Sequence, residues 1–100
     1  PPGTRKFVHD LMELWTPELD QRTAHEKRPS AAALTVQVEE IAGGDVLQFG
    51  AIDVSVVAVN HLPVKHAFGF VFEGPNSRLA ISGDTTYCPD LIDAAQGCDI

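Results

Sequence analysis

The sequence predicts an α/β (layered α+β) domain with a mostly antiparallel sheet and flanking helices. Three observations predict it. The patterns along the chain run helix, several strands, helix, strand. Two strand-like runs, Ala67 to Glu73 and Arg78 to Ser82, flank the turn residues Gly74-Pro75-Asn76-Ser77 as a β-hairpin. Between Ile52 and Asn60 the chain is β-branched and apolar on both parities, which predicts a strand buried on both faces.

Thr4 to Trp15 opens the chain as an amphipathic helix, with Phe7, Val8, Leu11, Met12, Leu14 and Trp15 at helical spacing. Thr4 is its expected N-cap. Thr16-Pro17 is expected to end this helix and start a second short one, because proline suits a first turn and not an interior. The polar stretch from Arg22 to Ser30 reads as a loop. Leu34, Val36 and Val38 alternate with Thr35, Gln37 and Glu39, the pattern of a half-buried strand. Ala42-Gly43-Gly44-Asp45 is a turn, and Val46 to Phe49 adds a short strand before Gly50. Cys88-Pro89-Asp90 opens a last helix through Ala95, stopped by Gly97, with Cys88 as a candidate cap. Cys98 to Ile100 begins another strand.

Composition bounds the function. With 7 Lys+Arg against 14 Asp+Glu, the net charge of −7 repels phosphate backbones and anionic lipid. The one basic cluster, Arg22, Lys27 and Arg28, is interrupted by Glu26 and reads as a solvated loop. No run of about 20 apolar residues is present, so no membrane span is expected. Cys88 and Cys98 form neither a CxxC pair nor a disulfide framework. As free thiols they lean toward a reducing, cytoplasmic setting without excluding secretion. Pro1-Pro2-Gly3-Thr4 and Cys98-Asp99-Ile100 both read as cut ends, so location stays open.

The chemistry-bearing residues lie at strand ends. In Arg78-Leu79-Ala80-Ile81-Ser82-Gly83-Asp84-Thr85-Thr86 an apolar run stops at a Ser-Gly turn, then presents a carboxylate and two hydroxyls. Glycine permits the sharp turn that pushes Asp84 out of the sheet. Asp after Gly is also ordinary turn chemistry. Of four histidines, His9 falls on the polar face of the first helix and His25 in the basic loop. His61 ends the doubly apolar strand, with Pro63 breaking the pattern beyond it, and His66 follows five residues on. The hairpin brings the ends carrying His61 and Asp84 to one edge of the sheet. Imidazole nitrogen with carboxylate oxygen is a normal zinc ligand combination, but a catalytic site needs about three protein ligands. From the residues alone this is a half-built metal site.

With these residues placed, the sequence resembles the metallo-β-lactamase-fold hydrolases, in their ribonuclease Z-like and arylsulfatase-like branch. Pro1-Pro2-Gly3-Thr4 is similar to the end of a Gly-Pro-Pro-Gly-Thr loop preceding a helix. Ala58-Val59-Asn60-His61, with Pro63-Val64-Lys65-His66-Ala67-Phe68-Gly69-Phe70, is similar to the segment bearing the third metal-binding motif. Ser82-Gly83-Asp84-Thr85 is similar to the fourth, and Cys88 to Ile100 to the helix and strand that follow.

The resemblance implies a partial αβ/βα sandwich, with 1–100 as the central-to-C-terminal piece of a single domain. It implies a site of two Zn2+ in which His61 binds one metal and Asp84 bridges both, the two residues carrying catalysis. Metal-activated hydroxide would then attack phosphodiester or other ester bonds. Thr85 and His66 are the candidates for residues supporting that shell. The His-x-His-x-Asp-His motif that supplies most of the ligands would lie before Pro1, and a last His after Ile100. His66 stands where Pro is expected and Asn60 where an acidic residue is common, and neither change removes a ligand.

The expected partner is a small-molecule ester, with a homodimer allowed. A nucleic-acid substrate fits the acidic charge poorly. The tight turn at Gly74 to Ser77 also leaves no long arm of the kind tRNA-processing members often carry. Two other readings stand beside this one: a non-catalytic fragment or degenerate relative with a structural or binding role, and a tRNA 3′-processing endonuclease.

Overall fold

A computed structural model describes residues 1–26 and 31–100. It holds two compact units, Pro2–Glu40 and Ile41–Ile100.

The first unit is built on one helix, α1, Thr4–Glu26, with Pro17 inside it. This corrects the expected break at Thr16-Pro17 and the expected loop from Arg22. Proline at position 17 removes one donor, and the orphaned acceptor is the carbonyl of Glu13. Residues 13–17 are all exposed, so water can satisfy that carbonyl. On either side the helix is reinforced at i, i+4 spacing by Lys6 with Asp10 and by Arg22 Nε with Glu18 Oε1 at 2.8 Å. Thr16 and Thr23 hydroxyls donate to the carbonyls of Met12 and Leu19. His25 therefore stands on a helix, and of the expected basic loop only 27–30 lies outside the described residues.

The cap of α1 also differs from expectation. The Gly3 carbonyl, not that of Thr4, accepts the first helical bond, from Phe7 N–H at 3.0 Å. The carboxylate of Glu40 accepts Arg5 N–H at 2.9 Å, satisfying a first-turn donor from outside the helix. That backbone bond, above all, holds the Glu40 carboxyl below its ordinary range. Ala31–Leu34 forms a single 3-10 turn, and residues 35–40 join no strand. The alternation at Leu34, Val36 and Val38 gives an extended segment, but a strand also needs a ladder partner, and none is found among the described residues.

The second unit is a four-stranded sheet in the order β1-β2-β3-β4, antiparallel as the sequence predicts. The strands are β1 Val46–Phe49, β2 Ile52–Ala58, β3 Phe68–Glu73 and β4 Arg78–Ile81. Val54 pairs with Phe72 and Ser55 with Val71, while Glu73 pairs with Arg78 across the expected hairpin turn. Opposite partners share a face, so buried Val54 and Val56 lie on one face and buried Val71 on the other. The middle of the sheet is thus covered on both sides, while Ile52 at its margin is 43% exposed.

Helix α2, Pro89–Ala94, starts with proline in its first turn and packs on the sheet. A Cβ on Gly69 would lie 2.9 Å from Leu91 Cδ1, so the bare glycine lets this helix approach β3. Cys88 occupies the cap position, but its thiol does not cap. It points to the Ala58 carbonyl at 3.7 Å. Past α2, Asp99 N–H bonds Arg78 O and Ala80 N–H bonds Ile100 O, so the chain end runs alongside β4 without forming a full strand. Both cysteines are free.

Candidate metal centre

The site is assembled at the end of the sheet where β2 finishes and β3 begins. After Ala58 the chain continues one step further along the ladder, with Val59 N–H donating to Ala67 O at 3.0 Å. His61 then starts a tight turn through a cis Leu62–Pro63 bond, closed by Val64 N–H to His61 O at 2.8 Å. The imidazole is held on this turn with its side chain 38% exposed.

Asp84 arrives from the other side of β3. Gly83 adopts φ +61, and a Cβ there would lie 2.6 Å from the Phe68 carbonyl oxygen. A residue with no side chain can therefore cross the start of β3 in contact with its backbone. The crossing brings Asp84 Oδ2 to 3.7 Å from His61 Nε2, with the Asp84 side chain 92% exposed. This separation is too long for a hydrogen bond.

Beneath the pair the two segments are joined by main-chain bonds. Asn60 N–H donates to Thr85 Oγ1 at 3.2 Å. The Asn60 carbonyl accepts Thr86 N–H at 2.8 Å and Thr86 Oγ1–H at 3.1 Å. Thr85 Oγ1–H reaches the Thr86 carbonyl at 2.8 Å. Sequence reasoning named Thr85 but not Asn60 or Thr86 as part of this arrangement. The two hydroxyls after Asp84 were the available signal.

Of the residues singled out in the sequence, His61, Asp84 and Thr85 come together. His66 is exposed and makes no hydrogen bond or ion pair among the described residues. His9 pairs with Asp10 and Glu13 on the solvent side of α1. Two donors on one tetrahedral zinc, each at about 2.0–2.2 Å, stand roughly 3.3–3.6 Å apart. His61 and Asp84 fit that chemistry and nearly that spacing. Among the described residues no group of three or more His, Cys, Asp or Glu forms a fuller ligand set. No helix among them is long and apolar enough to cross a membrane.

Low-identity similarity to proteins called ribonuclease Z supports a relationship to the metallo-β-lactamase-type hydrolases. The family profile described as "Anti-Pycsar protein Apyc1" matches residues 7–99. The chain belongs to that family. It is also similar to "Ribonuclease Z" of Mycobacterium marinum (strain ATCC BAA-535 / M), 29% identical over 97 residues, which is 97% of this chain and 34% of that protein. The same figures hold for "Ribonuclease Z" of Mycolicibacterium gilvum (strain PYR-GCK) and of Mycobacterium sp. (strain KMS). The chain therefore spans about a third of the length of the curated relatives it matches. No solved structure gives a significant match. These matches support the ribonuclease Z side of the resemblance, and its arylsulfatase-like side finds no support among them.

Proposed function

We propose that this chain supplies part of the site of a zinc-dependent hydrolase that cleaves phosphodiester or other ester bonds in a small molecule. The observation that carries the proposal is the approach of His61 Nε2 to Asp84 Oδ2 at 3.7 Å, beyond the strand ends at one margin of the sheet. In this reading His61 would offer an imidazole nitrogen to a cation. Asp84, with two carboxylate oxygens, would help hold the same centre. Bound zinc at such a site supplies Lewis acidity and a hydroxide nucleophile at neutral pH. Leu62, directly after His61 and 79% exposed, would offer apolar surface to a substrate.

A net charge of −7 speaks for a small substrate over a polyanionic one, and so does the tight turn between β3 and β4. A second reading, tRNA 3′-end processing, draws its support from the relatives called "Ribonuclease Z". The longest natural polypeptide carrying this chain, loaded with zinc, should be assayed against small phosphodiesters, carboxylic and sulfate esters, lactones and a tRNA precursor. Turnover of a small ester, abolished by Asp84→Ala together with loss of zinc, is the expected result. Cleavage of the tRNA precursor alone would establish the second reading. No turnover of any substrate, with zinc content unchanged in Asp84→Ala, would leave a non-catalytic role.

A further inference from the structure

His61 and Asp84 sit beyond the ends of the strands that carry them, and β2 and β4 are not neighbours but flank β3. The last β3–β4 ladder pair is Phe70 with Ile81, and β2 itself ends at Ala58. Sheet hydrogen bonding, which reaches Val59 on one side and Ile81 on the other, stops short of both donors. What spans the gap is one set of bonds between Asn60, directly before His61, and Thr85 and Thr86, which follow Asp84.

Thr85 is suited to this place. It is half-buried, whereas residues 82–84, 86 and 87 are all exposed. Its hydroxyl oxygen lies 3.2 Å from Asn60 N, 2.8 Å from Thr86 O and 3.3 Å from Asn60 O, and its one proton goes best to the nearer Thr86 carbonyl while it accepts from Asn60 N–H. Donating to the Thr86 carbonyl leaves a lone pair for the Asn60 N–H. The Asn60 carbonyl is then free to take both donors of Thr86. Every main-chain polar group of Asn60 is thereby paired with the 85–86 segment.

The geometry points to Thr85 as a positioning residue of the pair: its hydroxyl, beside the Thr86 bonds to the same Asn60 backbone, holds the His61–Asp84 separation and so tunes zinc affinity. It acts without touching either donor side chain. The inference rests on the metal reading of His61 and Asp84 proposed above. Outer groups bonded directly to metal ligands contribute about 10–100-fold to metal affinity or activity, and the lower end of that range is the effect expected of a main-chain clamp.

The test uses the longest natural polypeptide carrying this chain and Zn2+ itself as the probe, titrated in competition with a chromophoric chelator. Wild type is compared with Thr85→Val, which keeps the shape and loses the hydroxyl, and with Thr85→Ser, which keeps the hydroxyl. Thr85→Val should bind Zn2+ at least about tenfold more weakly, and Thr85→Ser should return most of that loss. Metal-free amide exchange gives a second readout. In Thr85→Val the Asn60 N–H should exchange several-fold faster while Val54, Val56 and Val71 in the core stay protected. Equal Zn2+ affinity in wild type and Thr85→Val, with His61→Ala and Asp84→Ala both weakened, overturns the positioning role alone. Equal affinity in wild type, His61→Ala and Asp84→Ala overturns the metal reading and this inference with it. Loss of core protection in Thr85→Val, without rescue by Thr85→Ser, assigns Thr85 to folding and overturns the inference as well.

Discussion

Gly83 crosses the Phe68 carbonyl so closely that an added Cβ would lie 2.6 Å from its oxygen, at a backbone φ of +61. Two separate costs would meet in any substitution there. A left-handed conformation costs an L-residue about 1–2 kcal/mol, and the clash with fixed backbone forces the loop itself to move. Gly44 isolates the first cost, since its φ is +95 but a Cβ there meets nothing within 4 Å. Gly44→Ala should therefore destabilise the chain by about 1–2 kcal/mol in denaturant melts, and Gly83→Ala by more. Only Gly83→Ala should also displace Asp84, read as lost zinc binding in the longest natural polypeptide. Equal effects of the two substitutions on stability and on zinc would show that the crossing does not position Asp84.

Arg78 ties the sheet to α2. Its guanidinium donates to the carbonyls of Ala94 at 3.1 Å and of Gln96, at the end of the helix, where a cation also opposes the helix dipole. Its backbone N–H donates to Asp99 Oδ2 at 2.8 Å, and Glu73 Oε2 lies 3.7 Å from its Nε. Hydrogen bonds to charged groups contribute about 1.5–3 kcal/mol each at most, less where partly solvated. Arg78→Ala should lower stability by about 1–3 kcal/mol. Arg78→Lys should recover less than half of that, because an ammonium cannot span two carbonyls as a planar fork does. Thermal melts superimposable on wild type would contradict the capping role.

Glu40 gives α1 a pH-dependent cap. The bond from Arg5 N–H holds its carboxyl below the ordinary glutamate range. A carboxyl depressed in the folded state contributes stability that is present above the unfolded value. That contribution is lost as pH falls through the folded value. The Arg5 amide should therefore be shielded from exchange above the usual glutamate range and lose that shielding below it. In Glu40→Gln the amide should follow intrinsic exchange chemistry alone across the same window. A wild-type Arg5 profile indistinguishable from that of Glu40→Gln would show that the carboxylate does not cap the helix.

Much of this arrangement was legible because its signals are local. The turn at Gly74 to Ser77 identified the β3–β4 hairpin, and Cys88-Pro89-Asp90 marked the start of α2. The same strand patterns put His61 and Asp84 at strand ends, which the sheet then brought together. Where the sequence misled, a longer-range balance decided. Pro17 is a strong local breaker, yet its cost is one carbonyl in an exposed turn of a helix reinforced on both sides. The alternation at Leu34 to Val38 is a sound strand pattern that lacks a partner to pair with among the described residues. The Asn60–Thr85 bond depends on how two non-adjacent strand ends meet, and no residue pattern encodes that meeting.

The count of donors makes a further prediction about the 100-residue chain by itself. Zinc sites take four ligands when structural and about three plus water when catalytic. Here His61 and Asp84 are the two that converge, and no larger cluster stands among the described residues. Two donors in an open position, one of them 92% exposed, must compete with bulk water for each remaining coordination position. Zinc binding to this chain alone should therefore be weak, with no saturable heat at micromolar zinc in calorimetry and no ester turnover. Adding the flanking sequence should raise affinity steeply, and His61→Ala or Asp84→Ala should then reduce it by at least about tenfold. Tight stoichiometric zinc on the 100-residue chain would mean that further donors complete the site within it, and that the division of ligands proposed here is wrong.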